Sequence, residues 1–220
     1  MSISDKNKTF SKLAALLILL LFAIWFLSSK DMMVTESHIF EVKKGSSMGT
    51  IAQELSDKGL IKSELFFTSF SKFLNANNKL KSGYYEILPG TSVWTFIDKI
   101  STGSVLSTKV TLIEGKTIKF YFNQLTNDPS IKSSGSLKEV MTSIGINEPY
   151  DGWFFPETYS FNYGESLENV LKRSHLELKK NLKVLWDQRD KDLPLKSPYE
   201  AIILASLIEN ETALDDEKSL

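Results

Sequence analysis

The sequence contains no cysteine, which excludes disulfide bonds, thiolate metal ligands and a cysteine nucleophile. Histidine is scarce as well, since the only two, His38 and His175, lie far apart in the chain. This disfavours a serine–histidine–aspartate triad and a histidine-based zinc site, and we expect both histidines to lie on the surface. Neither a G-x-G-x-x-G nor a G-x-x-x-x-G-K-[ST] stretch is present. The sequence therefore predicts no metal site and no cofactor.

The chain also lacks an excess of charge of either sign. Its 220 residues include 26 Lys or Arg and 27 Asp or Glu, which gives a formal net charge of −1. A nucleic-acid-binding surface needs a basic excess, so we predict no nucleic-acid partner. The length suits one large domain or two small ones.

One long hydrophobic run occurs at residues 13–27. Three lysines precede it, so the positive-inside rule places the N-terminus in the cytoplasm and the rest of the chain outside. With its flanking serines the run approaches the roughly 20 residues that a spanning helix needs. We predict a cytoplasmic tail over 1–12 and a single transmembrane helix over 13–29. A cleaved signal peptide is the alternative, and either interpretation exports the remaining residues.

Three later segments share a short β-type run, a glycine followed closely by Ser or Thr, and a helical pattern. Their glycines are Gly45, Gly90 and Gly115. Glycine permits the turn, and the hydroxyl residue caps the helix. Residues 166–186 add a long amphipathic helix. Together these patterns predict an α+β fold.

The first of these segments resembles a LysM-like module, a small domain that binds peptidoglycan glycan chains. The resemblance rests on an F-x-V-x-x-G-[ST] start at Phe40 and an I-A-x-x-L pattern at Ile51. It implies a LysM-like subdomain over 38–103. A plain structural subdomain is the alternative, because strand–turn–helix segments with a glycine are common in α+β domains.

Residues 150–161 form a dense aromatic stretch whose glycine and proline exclude a regular helix. Aromatic faces with interspersed polar groups suit sugar rings, whose C–H faces stack on them. We expect Phe154 and Phe161 to pack into the core. The better candidates for a binding cleft are Trp153, Glu157 and Tyr159.

Residues 197–212 predict a helix with a marked start. Ser197 is a good N-cap, Pro198 suits the first helical position, and Glu200 completes a capping box. Every residue from 201 to 208 is apolar or small, so we expect this helix to be packed on most sides.

Glu209 follows that apolar run. At about 100° per residue it lies on the helix face of Ile202, Ala205 and Ser206. Desolvation there would raise the pKa of its carboxyl group, which a general acid requires near neutral pH. The alternative is that Glu209 simply ends a core helix and points to water.

Three stretches in this order resemble the family of endolytic murein transglycosylases called MltG or YceG-like. They are Ile113-Glu114-Gly115-Lys116-Thr117, Asp151-Gly152-Trp153-Phe154-Phe155-Pro156-Glu157-Thr158-Tyr159 and Ala205-Ser206-Leu207-Ile208-Glu209-Asn210-Glu211-Thr212. The catalytic glutamate of the family falls on Glu209. Asp151-Gly152 stands where the family has Glu-Gly, a departure that keeps a carboxylate.

The resemblance implies a lyase that cleaves the bond between N-acetylmuramic acid and N-acetylglucosamine in nascent glycan strands, leaving 1,6-anhydro ends. Glu209 would act as both general acid and base, without a second carboxylate, metal or cofactor. We predict that the substrate-binding residues are Trp153, Glu157, Thr158, Tyr159 and Glu211.

The resemblance further implies a YceG-like catalytic domain over 104–220, of which only the N-terminal part is present, since family members continue well beyond this helix. It also implies peptidoglycan and its synthases as partners, and a single-pass location in the bacterial inner membrane with the bulk of the chain outside. The alternative function is a membrane-anchored peptidoglycan-binding module that does not cleave.

Overall fold

The computed structural model describes residues 30–133 and 135–211, apart from the side chains of 209–211, together with positions 16, 17, 19, 20, 23 and 26. The chain is α+β, as predicted. It divides into two compact units, residues 1–106 and residues 107–220. The assignment of residues 38–103 to a LysM-like subdomain and of residues 104–220 to a YceG-like catalytic domain stays a prediction.

The N-terminal unit is built on one antiparallel strand pair, β1 (His38–Val42) and β2 (Gly83–Ile87), with a register that runs from His38↔Ile87 to Val42↔Gly83. Within residues 30–106, three helices complete it: α1 (Met48–Asp57), α2 (Glu64–Phe73) and α3 (Val93–Thr102). Each helix begins where a serine side chain accepts a backbone N–H, as expected of an N-cap. These caps are Ser47, Ser63 and Ser92.

The core of this unit is aromatic. The ring of Phe96 is fully buried and contacts the rings of Phe40, Phe67 and Tyr85, with centroids 5.8, 6.4 and 6.4 Å away. Aliphatic side chains from α1 and α3 surround this cluster. The ring of Phe96, on α3, therefore joins both strands of the pair, β1 and β2, to helix α2.

The described residues of the C-terminal unit form two further strand pairs. Strand β3 (Ser107–Thr111) runs antiparallel to β5 (Thr158–Asn162), and β4 (Ile131–Lys132) runs parallel to β6 (Glu165–Ser166). Its helices are α4 (Ile118–Thr126), α5 (Leu137–Ser143), α6 (Leu167–Gln188) and α7 (Pro198–Glu211). The core includes Phe154 and Phe161, as predicted.

Helix α6 is buried only over its first two turns. Leu167, Val170, Leu171 and Ser174 are buried, whereas Leu185 near the other end is 66% exposed. The second half of α6 therefore presents apolar side chains outside the core, and α7 packs beside it.

The predicted single-pass anchor is wrong for the part of the chain that the structure describes. No described helix has both the length and the apolar character needed to cross a membrane. The longest described helix, α6, has 22 residues but carries many charged side chains, and a spanning helix needs roughly 20 mostly apolar residues. Residues 1–12 and most of 13–29 lie outside the described residues. The inner-membrane location inferred from the anchor is therefore corrected as well.

We expect Phe96→Ala to lower the free energy of unfolding of the N-terminal unit by about 3–5 kcal/mol, because it removes a buried ring and leaves a cavity. Phe73→Ala is the matched control, since Phe73 lies on a helix of the same unit but is 80% exposed. We expect it to cost less than about 1 kcal/mol. Urea unfolding followed by circular dichroism measures both. Equal losses would contradict the assignment of Phe96 to the centre of the core.

Burial raises the pKa of Tyr85, whose hydroxyl group donates a 2.8 Å hydrogen bond to the carbonyl of Lys81. The folded state therefore holds this proton more tightly than the unfolded state, in which the pKa is about 10. The resulting stability is fully present below pH 10 and is lost as the pH rises through the folded-state pKa.

We expect Tyr85→Phe to be less stable than the unsubstituted chain at pH 8 by about 1 kcal/mol, because the hydrogen bond is missing. The difference between the two free energies of unfolding should narrow above pH 10. There the phenol of Tyr85 ionises on unfolding, which favours the unfolded state, whereas a phenylalanine ring cannot ionise. Urea unfolding midpoints between pH 8 and 11.5 measure this difference, and the other tyrosines contribute equally to both proteins. A difference that stayed constant with pH would contradict the role of burial.

Candidate functional site

A cavity of about 690 Å³ within the C-terminal unit brings together the three stretches that resemble the family. Residues 115–118 contribute the start of α4, and residues 151 to 156, other than 153, contribute the turn before β5. Four positions come from α7, namely Ala201, Ile202, Ala205 and Ser206. The remaining wall comes from α6 and the segment that follows it. Residues more than 80 positions apart therefore meet around one space.

Asp151 connects two of these stretches through its side chain. Its Oδ1 accepts a 2.7 Å hydrogen bond from the backbone N–H of Ile118, the first residue of α4. Thr117 caps the same helix end by accepting the N–H of Phe120. A carboxylate at a helix N-terminus is favourable because the N–H groups there lack partners and the helix dipole is positive. Asp151 stands where the family has glutamate and keeps a carboxylate there. This carboxylate holds the first backbone N–H of α4 in place.

The same turn also receives α7. The backbone carbonyl of Asp151 accepts a 3.3 Å hydrogen bond from the Tyr199 hydroxyl. Gly152 has φ +82°, and a Cβ there would lie 2.9 Å from Cγ2 of Ile202. Both the backbone conformation and the close approach of the helix therefore require glycine at this position.

Trp153 lies outside the residues that line the cavity. Its indole stacks on Tyr199 at 4.7 Å with an interplanar angle of 10°, and its Nε1–H donates to the carbonyl of Pro149 at 3.0 Å. One face of the ring is therefore occupied by a side chain of α7. The role of Trp153 in substrate binding stays a prediction, and the structure gives it a packing role.

Glu157, Thr158 and Tyr159 lie at the start of β5 and do not line the cavity. The Glu157 side chain is exposed, and the Thr158 hydroxyl lies 2.9 Å from that of Thr111 on β3. The hydroxyl of Tyr159 donates to the carbonyl of Phe155 at 2.8 Å, and burial is the main cause that raises the pKa of this phenol. The structure thus separates these three predicted residues from the cavity, and their substrate contacts stay predictions.

Two neighbouring residues of α6 hold the aromatic turn in place. Ser174 Oγ donates to the carbonyl of Phe155 at 3.0 Å. His175 Nδ1 lies 2.9 Å from the carbonyl of Trp153, and because a carbonyl only accepts, Nδ1 carries the proton. His175 is half-buried, and so is His38, so the expectation of two surface histidines is wrong. Burial of His175 depends on contacts with Trp153 and Phe154 across the unit, which the local sequence does not indicate.

Glu209 and Glu211 lie in the last turn of α7, and their side chains are outside the described part of the chain. Position 209 follows Ala205 by four residues and Ser206 by three. It therefore belongs to the helix face whose earlier residues line the cavity. Among the described side chains, no group of three or more His, Asp or Glu could hold a metal ion.

The expectation that this helix is packed on most sides is wrong for the described structure. Residues 203–208 are exposed, with Leu207 at 54% and Ile208 at 39%. The physical reason is that α7 packs on α6 and on the 151–152 turn, which cover only one side of it. Ser197 caps its start as predicted, since Ser197 Oγ accepts the N–H of Glu200. The reciprocal bond of the predicted capping box differs, because the Glu200 carboxylate accepts the N–H of Lys196.

We expect Asp151→Ala to lower the free energy of unfolding of the C-terminal unit by about 1–2 kcal/mol, because the N–H of Ile118 loses its acceptor. Asp151→Asn keeps an oxygen acceptor and should lose less. Asp187→Ala is the control, as Asp187 lies exposed on α6. Urea unfolding followed by tryptophan fluorescence compares the three variants. If Asp151→Ala and Asp187→Ala behaved alike, the proposed link between the turn and α4 would be wrong.

Comparison with known proteins identifies several relatives. Over 213 residues the chain is 25% identical to an endolytic murein transglycosylase of Streptococcus pneumoniae (strain ATCC BAA-255 / R6), covering 81% of the chain and 38% of that protein. It is 24% identical over 196 residues to an endolytic murein transglycosylase of Bacillus subtilis (strain 168), covering 77% of the chain and 52% of that protein.

A crystal structure of a YceG-like protein from Listeria monocytogenes matches 85% of the chain and 68% of its own chain, with 20% identity and a TM-score of 0.35. The present chain spans about two fifths to one half of the length of the curated relatives it matches. The model of the YceG-like family matches residues 40–220, which is most of the chain. The chain therefore belongs to the YceG-like family.

Proposed function

We propose that this chain acts on peptidoglycan as an endolytic lytic transglycosylase, with Glu209 as its general acid and base. The observation that carries the proposal is the position of Glu209. It lies in the last turn of α7, on the face whose earlier residues line the cavity. The relatives named endolytic murein transglycosylases support murein as the substrate class.

In the proposed reaction the Glu209 carboxyl group protonates the glycosidic oxygen between N-acetylmuramic acid and N-acetylglucosamine. The bond from C1 to that oxygen breaks, and N-acetylglucosamine leaves with the proton on its oxygen. Glu209, now a carboxylate, accepts the proton of the muramic acid C6 hydroxyl as that oxygen bonds to C1. The product is a 1,6-anhydro end, and Glu209 is protonated again.

This sequence of steps needs one carboxyl group, because an internal hydroxyl replaces both the water and the enzyme nucleophile. Ordinary glycosidases use a pair of carboxylates on opposite sides of the bond. Glu200, also on α7, is nine residues before Glu209, or about half a turn away around the helix axis. Its carboxylate accepts the backbone N–H of Lys196 at 2.7 Å, so it serves the start of the helix.

Other residues of the cavity would hold the reacting strand in register. Asp151 keeps the start of α4 in place, and Gly152 and Tyr199 keep α7 against the same turn. Positioning of this kind matters because a misplacement of about 1 Å can cost a hundredfold in rate.

A second candidate is a module that binds peptidoglycan without cleaving it. The exposure of residues 203–208 favours it, since a desolvated general acid is expected among buried neighbours. This candidate uses the same cavity and the same polymer but requires no proton transfer. Product analysis separates the two.

We expect Glu209→Gln to reduce the release of 1,6-anhydro-ended fragments from purified murein by at least about a hundredfold, since an amide is too weak an acid to protonate the glycosidic oxygen. Mass spectrometry of the released fragments measures the product. Glu200→Gln is the matched control, because its amide oxygen still accepts the N–H of Lys196, and it should keep full activity.

The same pair of substitutions at the aligned positions of the longer Bacillus subtilis relative tests the role of the glutamate in a second chain. Equal product from the unsubstituted chain and Glu209→Gln would remove Glu209 from the reaction. Binding to murein without any anhydro product from the unsubstituted chain would instead support the binding module.

A further inference from the structure

The cavity contains two positively charged side chains that the proposed reaction does not use. Lys116 precedes the N-cap of α4, and Arg189 follows the end of α6. Within residues 30–133 and 135–208, neither forms a salt bridge. The cavity also includes Asp151, but its Oδ1 already accepts the N–H of Ile118.

Both cations are held against aromatic rings. The guanidinium carbon of Arg189 lies 3.6 Å from the centre of the Trp186 ring, and one of its N–H groups donates to the Trp186 carbonyl at 2.7 Å. Lys116 Nζ lies 5.5 Å from the centre of the Phe120 ring. A guanidinium has five N–H donors in a planar fork that suits a carboxylate. Arg189 is thus oriented by its contacts and keeps donors for a ligand.

The rest of the cavity wall is mainly apolar, and it includes the rings of Tyr121, Phe154, Phe155 and Trp186 as well as aliphatic side chains. Leu178, Leu182 and Leu185 supply one side of it from successive turns of α6, and Ile202 and Ala205 supply another from α7. Sugar hydroxyl groups need polar partners, and this wall offers few. A ligand with small apolar side chains next to a carboxylate suits this wall better. The aliphatic residues of the cavity would contact the ligand's side chains, and Lys116 and Arg189 would contact its carboxylate. The volume is in the range of sites that take up molecules of a few hundred daltons.

We propose that this cavity binds the peptide stem of murein, with Lys116 and Arg189 holding its carboxylate groups and the α6 leucines contacting its alanine methyl groups. The inference rests on the proposed function only for the identity of the polymer. It assigns the cavity to the peptide that branches from the muramic acid and places the glycan backbone beside it, toward position 209. The cavity then selects strands that still bear their peptides over bare glycan.

The test measures binding of small murein fragments to the purified chain by isothermal titration calorimetry. The probes are the N-acetylglucosaminyl-N-acetylmuramic acid disaccharide with its peptide, the same compound with its peptide carboxylates amidated, the disaccharide without peptide, and inorganic phosphate. We expect the peptide-bearing probe to bind about tenfold or more tightly than the amidated or peptide-free probe, since a charge-assisted pair contributes about that factor.

The variants are Lys116→Met with Arg189→Met, Arg189→Lys, and Lys183→Met as the matched control. Lys183 is exposed on α6 and lies outside the cavity lining. The double variant should remove the preference for the peptide-bearing probe. Arg189→Lys should lose part of it, because an ammonium group lacks the planar fork that suits a carboxylate, and Lys183→Met should keep all of it. Circular dichroism confirms that each variant is folded.

Equal binding of the charged and amidated probes, or no binding of the peptide-bearing probe, would overturn the inference. A preference for the peptide-bearing probe that survives in the double variant would also overturn it. Complete displacement of this probe by inorganic phosphate at equal concentration would indicate a phosphate site instead and would overturn it as well. Glu209→Gln should bind the probe as the unsubstituted chain does. Loss of the cleavage role of Glu209 and loss of the peptide site are therefore distinguishable.

Discussion

In the C-terminal unit, the link between the turn before β5 and α4 depends on the hydrogen bond between the Asp151 carboxylate and the N–H of Ile118. This bond joins residues 33 positions apart and uses a helix N–H that would otherwise lack a partner. It is charge-assisted and short, so it is among the stronger kinds of protein hydrogen bond. Because the carbonyl of Asp151 and the backbone of Gly152 also receive α7, one two-residue turn positions two of the three helices that line the cavity, α4 and α7.

The features that could be predicted from the sequence are those set by local chemistry. A hydroxyl residue after a glycine turn gave the caps at Ser47, Ser92 and Thr117, because the partner of each side chain is a backbone N–H three residues away. The long amphipathic helix begins after Ser166, and α7 begins at Pro198, both as predicted. The α+β class follows from the same segments, since each strand and its helix are neighbours in sequence.

The features that could not be predicted depend on partners far away in the chain. The place of Trp153 in a binding cleft stays a prediction, but its stacking partner could not be predicted, since Tyr199 lies 46 positions away on α7. His175 is half-buried because the aromatic turn folds onto it. The apolar run over 201–208 has the composition of a buried helix, yet only one side of it meets α6 and the turn. Apolar composition indicates that a surface can be covered, but it does not say by what.

This distinction bears on the chemistry proposed for Glu209. A carboxyl group in water has a pKa of about 4, so at neutral pH almost none of it carries the proton that the first step requires. The described residues just before position 209 are exposed, and they do not exclude water from the end of α7. The proposed mechanism therefore requires that water be removed from this helix face by something other than the described residues, and a bound murein strand would do so and raise the pKa of the carboxyl group. A peptide held in the neighbouring cavity would keep the strand there, so substrate selection and activation of the acid would depend on the same contacts.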